Sequence, residues 1–182
     1  MISNSCIKLV EIYFKSIDGV EIKSVFLGEV ILTYNREIIT ALSINNHFKT
    51  IGFEVIKDPD IILFEKIKIA AIELIIFSNN NNSIIRNSDY IRERVQEPYD
   101  KISKVFSKIA GITLEKYIIL LKIEKAKELI LEDQLTLSEI SYQLGYSSVQ
   151  YLSRQFKQIT TYTFSDYKAL ENPPRRILDD LV

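Results

Sequence analysis

The chain has 182 residues, of which 47% are hydrophobic, with 23 basic and 24 acidic side chains. This length fits one ordinary domain or two small ones, the apolar content excludes wholesale disorder, and the formal charge of −1 excludes a uniformly basic nucleic-acid coat protein. One cysteine and one histidine exclude an internal disulfide and argue against a zinc site. No segment has the pattern of a signal peptide or a membrane span, so we expect a soluble cytoplasmic protein.

Helical and strand patterns alternate in the N-terminal part of the chain. In order they predict a helix, two strands that meet near Gly28, a helix, a short strand and a long amphipathic helix, over residues 6–17, 20–27, 30–34, 36–51, 53–56 and 60–77. A helix mixed with short neighbouring strands is typical of a small α+β sandwich. The single stripe expected on the helix over 36–51 contains Ile38, Ile39, Leu42 and Phe48.

An asparagine-rich run, residues 78–83, is the clearest boundary, because these side chains compete for backbone hydrogen bonds and favour turns. After it every pattern is helical. We therefore divide the chain into an α+β domain, a connecting helix with the Asn-rich linker, an all-α domain and a tail, over residues 1–58, 59–83, 84–170 and 171–182.

The helical part repeats itself at an offset of 50 residues. Six pairs are identical: Ser88/Ser138, Ser103/Ser153, Phe106/Phe156, Ile109/Ile159, Thr113/Thr163 and Tyr117/Tyr167. Two copies of one helical unit, each with the same core side chains, explain such a repeat.

The second copy has the pattern of a helix-turn-helix. Thr136 and Glu139 form a capping box that opens a helix, Gly145 ends it, and Ser147 or Ser148 caps the next helix over about 148–159. The small Ser141 suits a close crossing of the two helices. An outward face on the second helix carries Gln150, Ser153, Arg154 and Lys157, side chains that can bond base edges and phosphates in a major groove.

The first copy is more degenerate. Ile102, Phe106 and Ile109 form its apolar stripe, and Asp100, Ser103 and Lys104 face outward. Val95 stands at the position of Gly145, so the turn must differ, with Pro98 as a candidate start of the helix. Asp100 either accepts a bond from a cytosine amino group or makes this unit a weak DNA binder. The helix over 114–132 between the copies serves as a stiff connector, as a core helix, or as both.

The segment from Ile102 to Leu170, above all LSEI, LGYSS and YLSRQFK, resembles the C-terminal DNA-binding domain of AraC-type transcription regulators, and with the first copy the resemblance covers about 84–170. It implies two helix-turn-helix units that enter successive major grooves of double-stranded DNA. It also implies base contacts from outward positions of the two recognition helices, here Val149, Gln150, Ser153 and Arg154, and Asp100, Ser103 and Lys104. Thr161 departs from the resemblance, because the family usually has glycine there, and Phe164 stands where a proline usually follows.

The N-terminal part resembles a heavy-metal-associated, ferredoxin-like module whose Cys-x-x-Cys loop precedes the first helix. In this resemblance Ser3 takes the place of the first cysteine and Cys6 that of the second, and we expect the leading strand of the module to be missing. One thiolate cannot hold a soft metal in two-coordinate geometry, so we predict no metal and no cofactor. We expect Cys6 to be a structural core residue and His47 to be a surface or helix-packing residue. The incomplete sheet has an edge that a second chain of a homodimer or the segment 1–5 would cover.

Two function classes remain. The first is a sequence-specific DNA-binding transcription regulator, and the second is a protein-interaction module built on a repurposed helix-turn-helix domain. The near-zero charge and Asp100 favour the second somewhat. An enzyme is rejected, because no paired acid/base constellation and no nucleotide-binding loop are present.

Overall fold

The computed structural model describes residues 3–77 and 87–182. Nine α-helices and two strands lie within these ranges, together with a π-helical turn over Glu73–Phe77 and a 3₁₀ turn over Leu178–Leu181. In chain order they are α1 Asn4–Phe14, β1 Val20–Phe26, β2 Glu29–Tyr34, α2 Ala41–Thr50, α3 Pro59–Ile72, α4 Asn87–Val95, α5 Tyr99–Ala110, α6 Leu114–Glu132, α7 Leu137–Gln143, α8 Val149–Thr160 and α9 Phe164–Lys168. The chain packs as two compact units that divide after Ile69.

A β-hairpin forms the sheet of the first unit, and its two strands were predicted correctly. β1 and β2 pair antiparallel, with Val25 opposite Val30 and Phe26 opposite Glu29 across the Leu27-Gly28 turn. Gly28 has a positive φ of 74°, and a Cβ at this position would lie 2.2 Å from Ile69 Cδ1. The backbone conformation of the turn therefore favours glycine, and a Cβ there would also displace the end of the Ile69 side chain.

The core of the first unit lies between α1, α2 and the hairpin. Its buried residues are Val10, Phe14, Ile39, Ile44 and Phe48, and alternate hairpin side chains such as Ile22 and Leu32 pack against them. The stripe predicted for the helix over 36–51 is partly wrong: Ile38 and Leu42 are 54% and 70% exposed. α2 begins only after Thr40, whose hydroxyl accepts a hydrogen bond from the Ser43 N–H. The buried face of the helix is therefore formed by Ile44 and Phe48.

The predicted ferredoxin-like sandwich is not formed by residues 3–77, where the sheet has two strands. The short strand expected over 53–56 is wrong, since this segment is irregular. Its Phe53 N–H donates to the carbonyl of Phe48, and Val55 and Ile56 are 42% and 39% exposed. A short apolar-rich segment becomes a strand only beside a partner strand, and here the chain is hydrogen-bonded to the end of α2 instead.

The amphipathic helix predicted over 60–77 divides into α3 and the π-helical turn. Asp58 opens α3, because its Oδ1 accepts the backbone N–H of Asp60 at 2.8 Å. The asparagine-rich run over 78–83, predicted as a linker, lies outside the described residues. Within the described residues, no helix is long and apolar enough to cross a membrane.

The second unit contains the predicted repeat, because its elements recur at an offset of 50 residues. α4 and α7 begin at 87 and 137, and α5 and α8 span 99–110 and 149–160. Thr113 and Thr163 each cap the following helix, α6 and α9 respectively. Thus the two copies share the positions of their helices and the threonine cap that follows each second helix, as well as their apolar side chains.

The residue after each recognition-type helix adopts a left-handed conformation. Gly111 ends α5 with φ 70°, and Thr161 ends α8 with the same φ. Each donates its N–H to a carbonyl of the last turn, that of Ser107 and that of Lys157. Glycine adopts this backbone freely, whereas a β-branched residue is strained in it.

We predict that Thr161→Gly stabilises the protein by about 0.5–1 kcal/mol. Glycine relieves the backbone strain of the left-handed conformation, and we expect this gain to exceed the cost of the greater conformational entropy that glycine gives the unfolded chain. The matched variant Gly111→Ala should lose about 1 kcal/mol, because only the backbone conformation opposes it: no atom lies within 4 Å of the added Cβ. Urea unfolding followed by circular dichroism measures both. Destabilisation by Thr161→Gly would show that the hydroxyl of Thr161, which bonds the Thr160 carbonyl at 2.6 Å, outweighs the strain.

The predicted tail over 171–182 packs against α6. The Tyr167 hydroxyl donates to the carbonyl of Pro174 at 2.9 Å, and the Arg176 N–H donates to Glu124 Oε2 at 3.1 Å. Leu181 is buried. This segment therefore belongs to the folded second unit.

Candidate nucleic-acid interface

The second helix-turn-helix consists of α7, a turn at Gly145 and α8. At its start, Thr136 Oγ1 accepts the Glu139 N–H, and the Glu139 carboxylate accepts the Thr136 N–H at 2.7 Å. The bonds from Thr136, first from its backbone and then from its hydroxyl, hold the pKa of Glu139 below its usual range. The predicted capping box is thus present and fixes where α7 begins.

Three features set the angle between α7 and α8. Gly145 has φ 66° and donates its N–H to the Tyr142 carbonyl. Ser148, one of the two predicted caps, accepts the Tyr151 N–H at 3.2 Å and opens α8. Ser141 is 3% exposed, in agreement with the expected need for a small residue where the helices cross. The turn is therefore determined by glycine, a serine cap and a small buried side chain.

One face of α8 is anchored in an aromatic core. Leu152 and Phe156 are fully buried. The Phe156 ring stacks on Phe164 at 4.3 Å between centroids and meets the edge of Tyr167 at 5.5 Å. The opposite face is consequently held in a fixed orientation toward solvent.

The sequence-predicted contact residues of α8 lie on that outer side. Gln150, Arg154 and Lys157 are exposed, and Val149 and Ser153 are half-buried. Gln150 and Arg154 are four residues apart, one above the other on the helix surface. The structure therefore brings an amide, a guanidinium and an ammonium group together along one exposed helix face.

The first helix-turn-helix uses a different turn. α4 ends at Val95, and the left-handed residue is Gln96, with φ 61°, rather than the residue aligned with Gly145. Its N–H donates to the Arg92 carbonyl at 2.8 Å. Pro98 precedes α5, as predicted. The turn is one residue shorter than in the second unit, because α5 begins three residues after Gln96, whereas α8 begins four residues after Gly145. No sequence signal pointed to Gln96, because glutamine has no preference for this conformation.

The faces of α5 match the prediction except at Ile109. Ile102 and Phe106 are fully buried, but Ile109 is 38% exposed and does not complete the stripe. The outer residues Asp100 and Lys104 are exposed, and Ser103 is half-buried. Lys101 pairs with Glu97 at 2.7 Å, so part of the positive charge near the start of α5 is neutralised locally. α5 thus presents a less basic face than α8.

The helix between the copies is a core helix. α6 contacts α5, α7, α8 and α9, and its fully buried residues include Tyr117, Leu121, Ile123 and Ala126. A helix that packs against every neighbouring element also sets the spacing of α5 and α8. Both predicted roles of this helix are therefore compatible with its packing.

A group of three side chains that the sequence pattern did not single out lies beside Arg154. Arg154 Cζ is 5.4 Å from the ring centroid of Tyr151, and Tyr151 meets the edge of Tyr146 with centroids 5.7 Å apart. Lys122 Nζ lies 5.1 Å from the Tyr146 centroid. Burial lowers the pKa of Lys122 and raises that of the Tyr146 hydroxyl. The turn residue Tyr146 thus connects α6 to the outer face of α8.

Cys6 and His47 lie in the first unit. Ser3 caps α1 and its Oγ lies 3.3 Å from the half-buried Cys6 thiol, while Tyr13 Oη lies 3.0 Å from His47 Nδ1. Residues 3–77 and 87–182 contain no group of three histidine, cysteine or acidic side chains placed to hold a metal ion. Ser3 therefore has a helix-capping role at the position where the resembled module carries its first cysteine.

Known proteins resemble the second unit. Residues 97–169 match a family model described as a helix-turn-helix domain. The chain is similar in structure to the C-terminal domain of AraT, a response regulator from Geobacillus stearothermophilus, with a TM-score of 0.50 and 20% identity over 61% of this chain and 84% of that one. It is also similar to the xylose-binding transcription activator xylR, with a TM-score of 0.46 and 26% identity over 64% of this chain and 28% of that one. No curated protein matches it in sequence. Residues 97–169 therefore form a helix-turn-helix domain.

Proposed function

We propose that the protein is a cytoplasmic, sequence-specific transcription regulator of the AraC type that reads two successive major grooves with α5 and α8. The observation that carries the proposal is α8: its inner face is locked by Leu152 and Phe156, and its outer face exposes Gln150, Arg154 and Lys157. Arginine bonds guanine O6 and N7 with two donors, glutamine bonds adenine in the same way, and lysine reaches phosphates.

The two recognition helices have unequal roles in this proposal. α8 supplies the specific contacts through Val149, Gln150, Ser153 and Arg154. α5 offers Ser103 and Lys104 beside Asp100, whose carboxylate repels phosphate unless it accepts a bond from a cytosine amino group. The ion pair of Lys101 with Glu97 further supports a weaker first unit.

Selection of random duplex DNA by the purified full-length protein, at two salt concentrations, tests this function. A motif with two blocks about one helical turn apart is expected from two reading helices, and a single block would restrict base reading to α8. Binding to DNA should weaken steeply as salt rises. No enriched motif, with only weak binding that salt removes, would favour the alternative, a protein-interaction module built on the same domain.

We predict that Arg154→Ala costs about 1–3 kcal/mol of specific binding and relaxes the preference at one base pair. Lys157→Ala is the matched control on the same helix face, since loss of a phosphate contact weakens all sequences about equally and lowers the salt dependence. The two variants are distinguished by competition binding with duplexes that carry each of the four base pairs at each selected position. An Arg154→Ala variant with the full sequence preference of the parent would contradict the role given to α8.

We further propose that two chains pair through the first unit. Within residues 3–77 the sheet consists of β1 and β2 alone, so each strand has an outer edge, and Phe26 and Ile31 on the hairpin are 53% and 46% exposed. Sedimentation velocity across a hundredfold range of concentration should show a dimer that dissociates on dilution. A strictly monomeric protein at the highest concentration would refute the pairing.

A further inference from the structure

Arg154 does not extend freely from α8. Its guanidinium carbon lies 5.4 Å from the ring centroid of Tyr151, three residues earlier on the same helix surface. This distance is within the range at which a guanidinium is attracted to the face of an aromatic ring. An arginine side chain has several rotatable bonds and loses conformational entropy when it is fixed against a base. A ring that already restricts the side chain in the free protein reduces this loss.

Tyr151 is itself held by the turn of the helix-turn-helix. Its ring meets Tyr146 at an angle of 60°, and the Tyr146 hydroxyl donates to Gln155 Oε1 at 2.5 Å. Lys122 of α6 lies over the same Tyr146 ring, 5.1 Å from its centroid. A half-buried tyrosine with a hydrogen bond and a cation at its face has little freedom to move. The contacts therefore run continuously from the core helix to the exposed guanidinium.

We propose that Tyr151 is a positioning residue that holds the guanidinium of Arg154 in the orientation in which it reads a base pair, with Tyr146 as the support of its ring. This inference rests on the proposed function and names a specificity determinant outside the predicted contact set. Tyr151 is 41% exposed, so its hydroxyl could instead bind a phosphate. The two roles differ, because positioning requires the ring and phosphate binding requires the hydroxyl.

The positioning role is tested at the base-pair position where Arg154→Ala loses its preference. Binding is measured to the selected duplex and to the three duplexes that carry another base pair at that position. Tyr151→Leu should lower discrimination at that position roughly three- to tenfold and leave the other positions unchanged. Tyr151→Phe, the matched control that keeps the ring, should behave like the parent. Tyr151→Gln is a second variant without the ring should the leucine variant fail to fold.

The double variant Arg154→Ala/Tyr151→Leu decides between coupling and independent effects. If Tyr151 acts through Arg154, the double variant discriminates no less than Arg154→Ala alone. Losses that add, an equal weakening on all four duplexes, or a Tyr151→Phe variant as weak as Tyr151→Leu would each overturn the positioning role alone. A parent protein without any base preference would overturn the proposed function, and this role with it.

Discussion

Replacement of Phe156 by alanine is expected to destabilise the second unit by about 3–5 kcal/mol. The ring is fully buried, stacks on Phe164 and meets the edge of Tyr167, so its loss removes both buried apolar area and two aromatic contacts. The core around it comes from α6, α7, α8 and α9, which cannot all close on the cavity at once. Because a small domain is stable by only about 5–15 kcal/mol, this single change approaches the whole stability of the unit.

Urea unfolding followed by circular dichroism measures the loss, with Phe156→Leu as the matched control. Leucine keeps most of the apolar volume and should lose clearly less than alanine. The repeat gives a second comparison: Phe106 occupies the same position in the first copy, is fully buried, and lies 5.2 Å from Tyr117 between ring centroids. Phe106→Ala should therefore cost a similar amount. A loss below about 1 kcal/mol for Phe156→Ala would contradict the core described for α8.

The turns that the sequence predicted correctly share one property: their residues satisfy backbone groups locally. Gly28 permits the hairpin turn by its own φ, and Thr136 with Glu139 closes a capping box within four residues. Gly145 and Ser148 act in the same local way on the second helix-turn-helix. Such signals do not depend on the rest of the fold, so they can be recognised without it.

The incorrect and missing predictions depend on partners elsewhere in the chain. Residues 53–56 are apolar enough for a strand, but the Phe53 N–H bonds to Phe48 at the end of α2. Gln96 adopts a left-handed backbone that its own chemistry does not favour, at the junction of α4 and α5, which contact each other. The α8 contact face followed from helical spacing, whereas the position of Tyr146 beside Tyr151 required the folded turn.

The buried ion pair of α6 is the second feature with a large expected effect. Lys127 Nζ lies 2.7 Å from Glu124 Oε1, and the two residues are 6% and 4% exposed. The other carboxylate oxygen of Glu124 accepts the Arg176 N–H, so the pair also attaches the C-terminal segment to α6. Removal of one partner leaves a charge that is buried without compensation, which costs far more than the pair itself contributes.

We therefore expect Lys127→Met, which keeps the length and apolar stem of the side chain, to destabilise the protein by about 3–5 kcal/mol. The double variant Glu124→Gln/Lys127→Met should recover most of this loss, because it removes both charges and keeps an acceptor for the Arg176 N–H. Urea unfolding of the two variants and the parent tests the argument. If the double variant were as unstable as Lys127→Met, the loss of stability would come from packing rather than from the unpaired carboxylate. In that case the attachment of the C-terminal segment would not depend on the charge of Glu124.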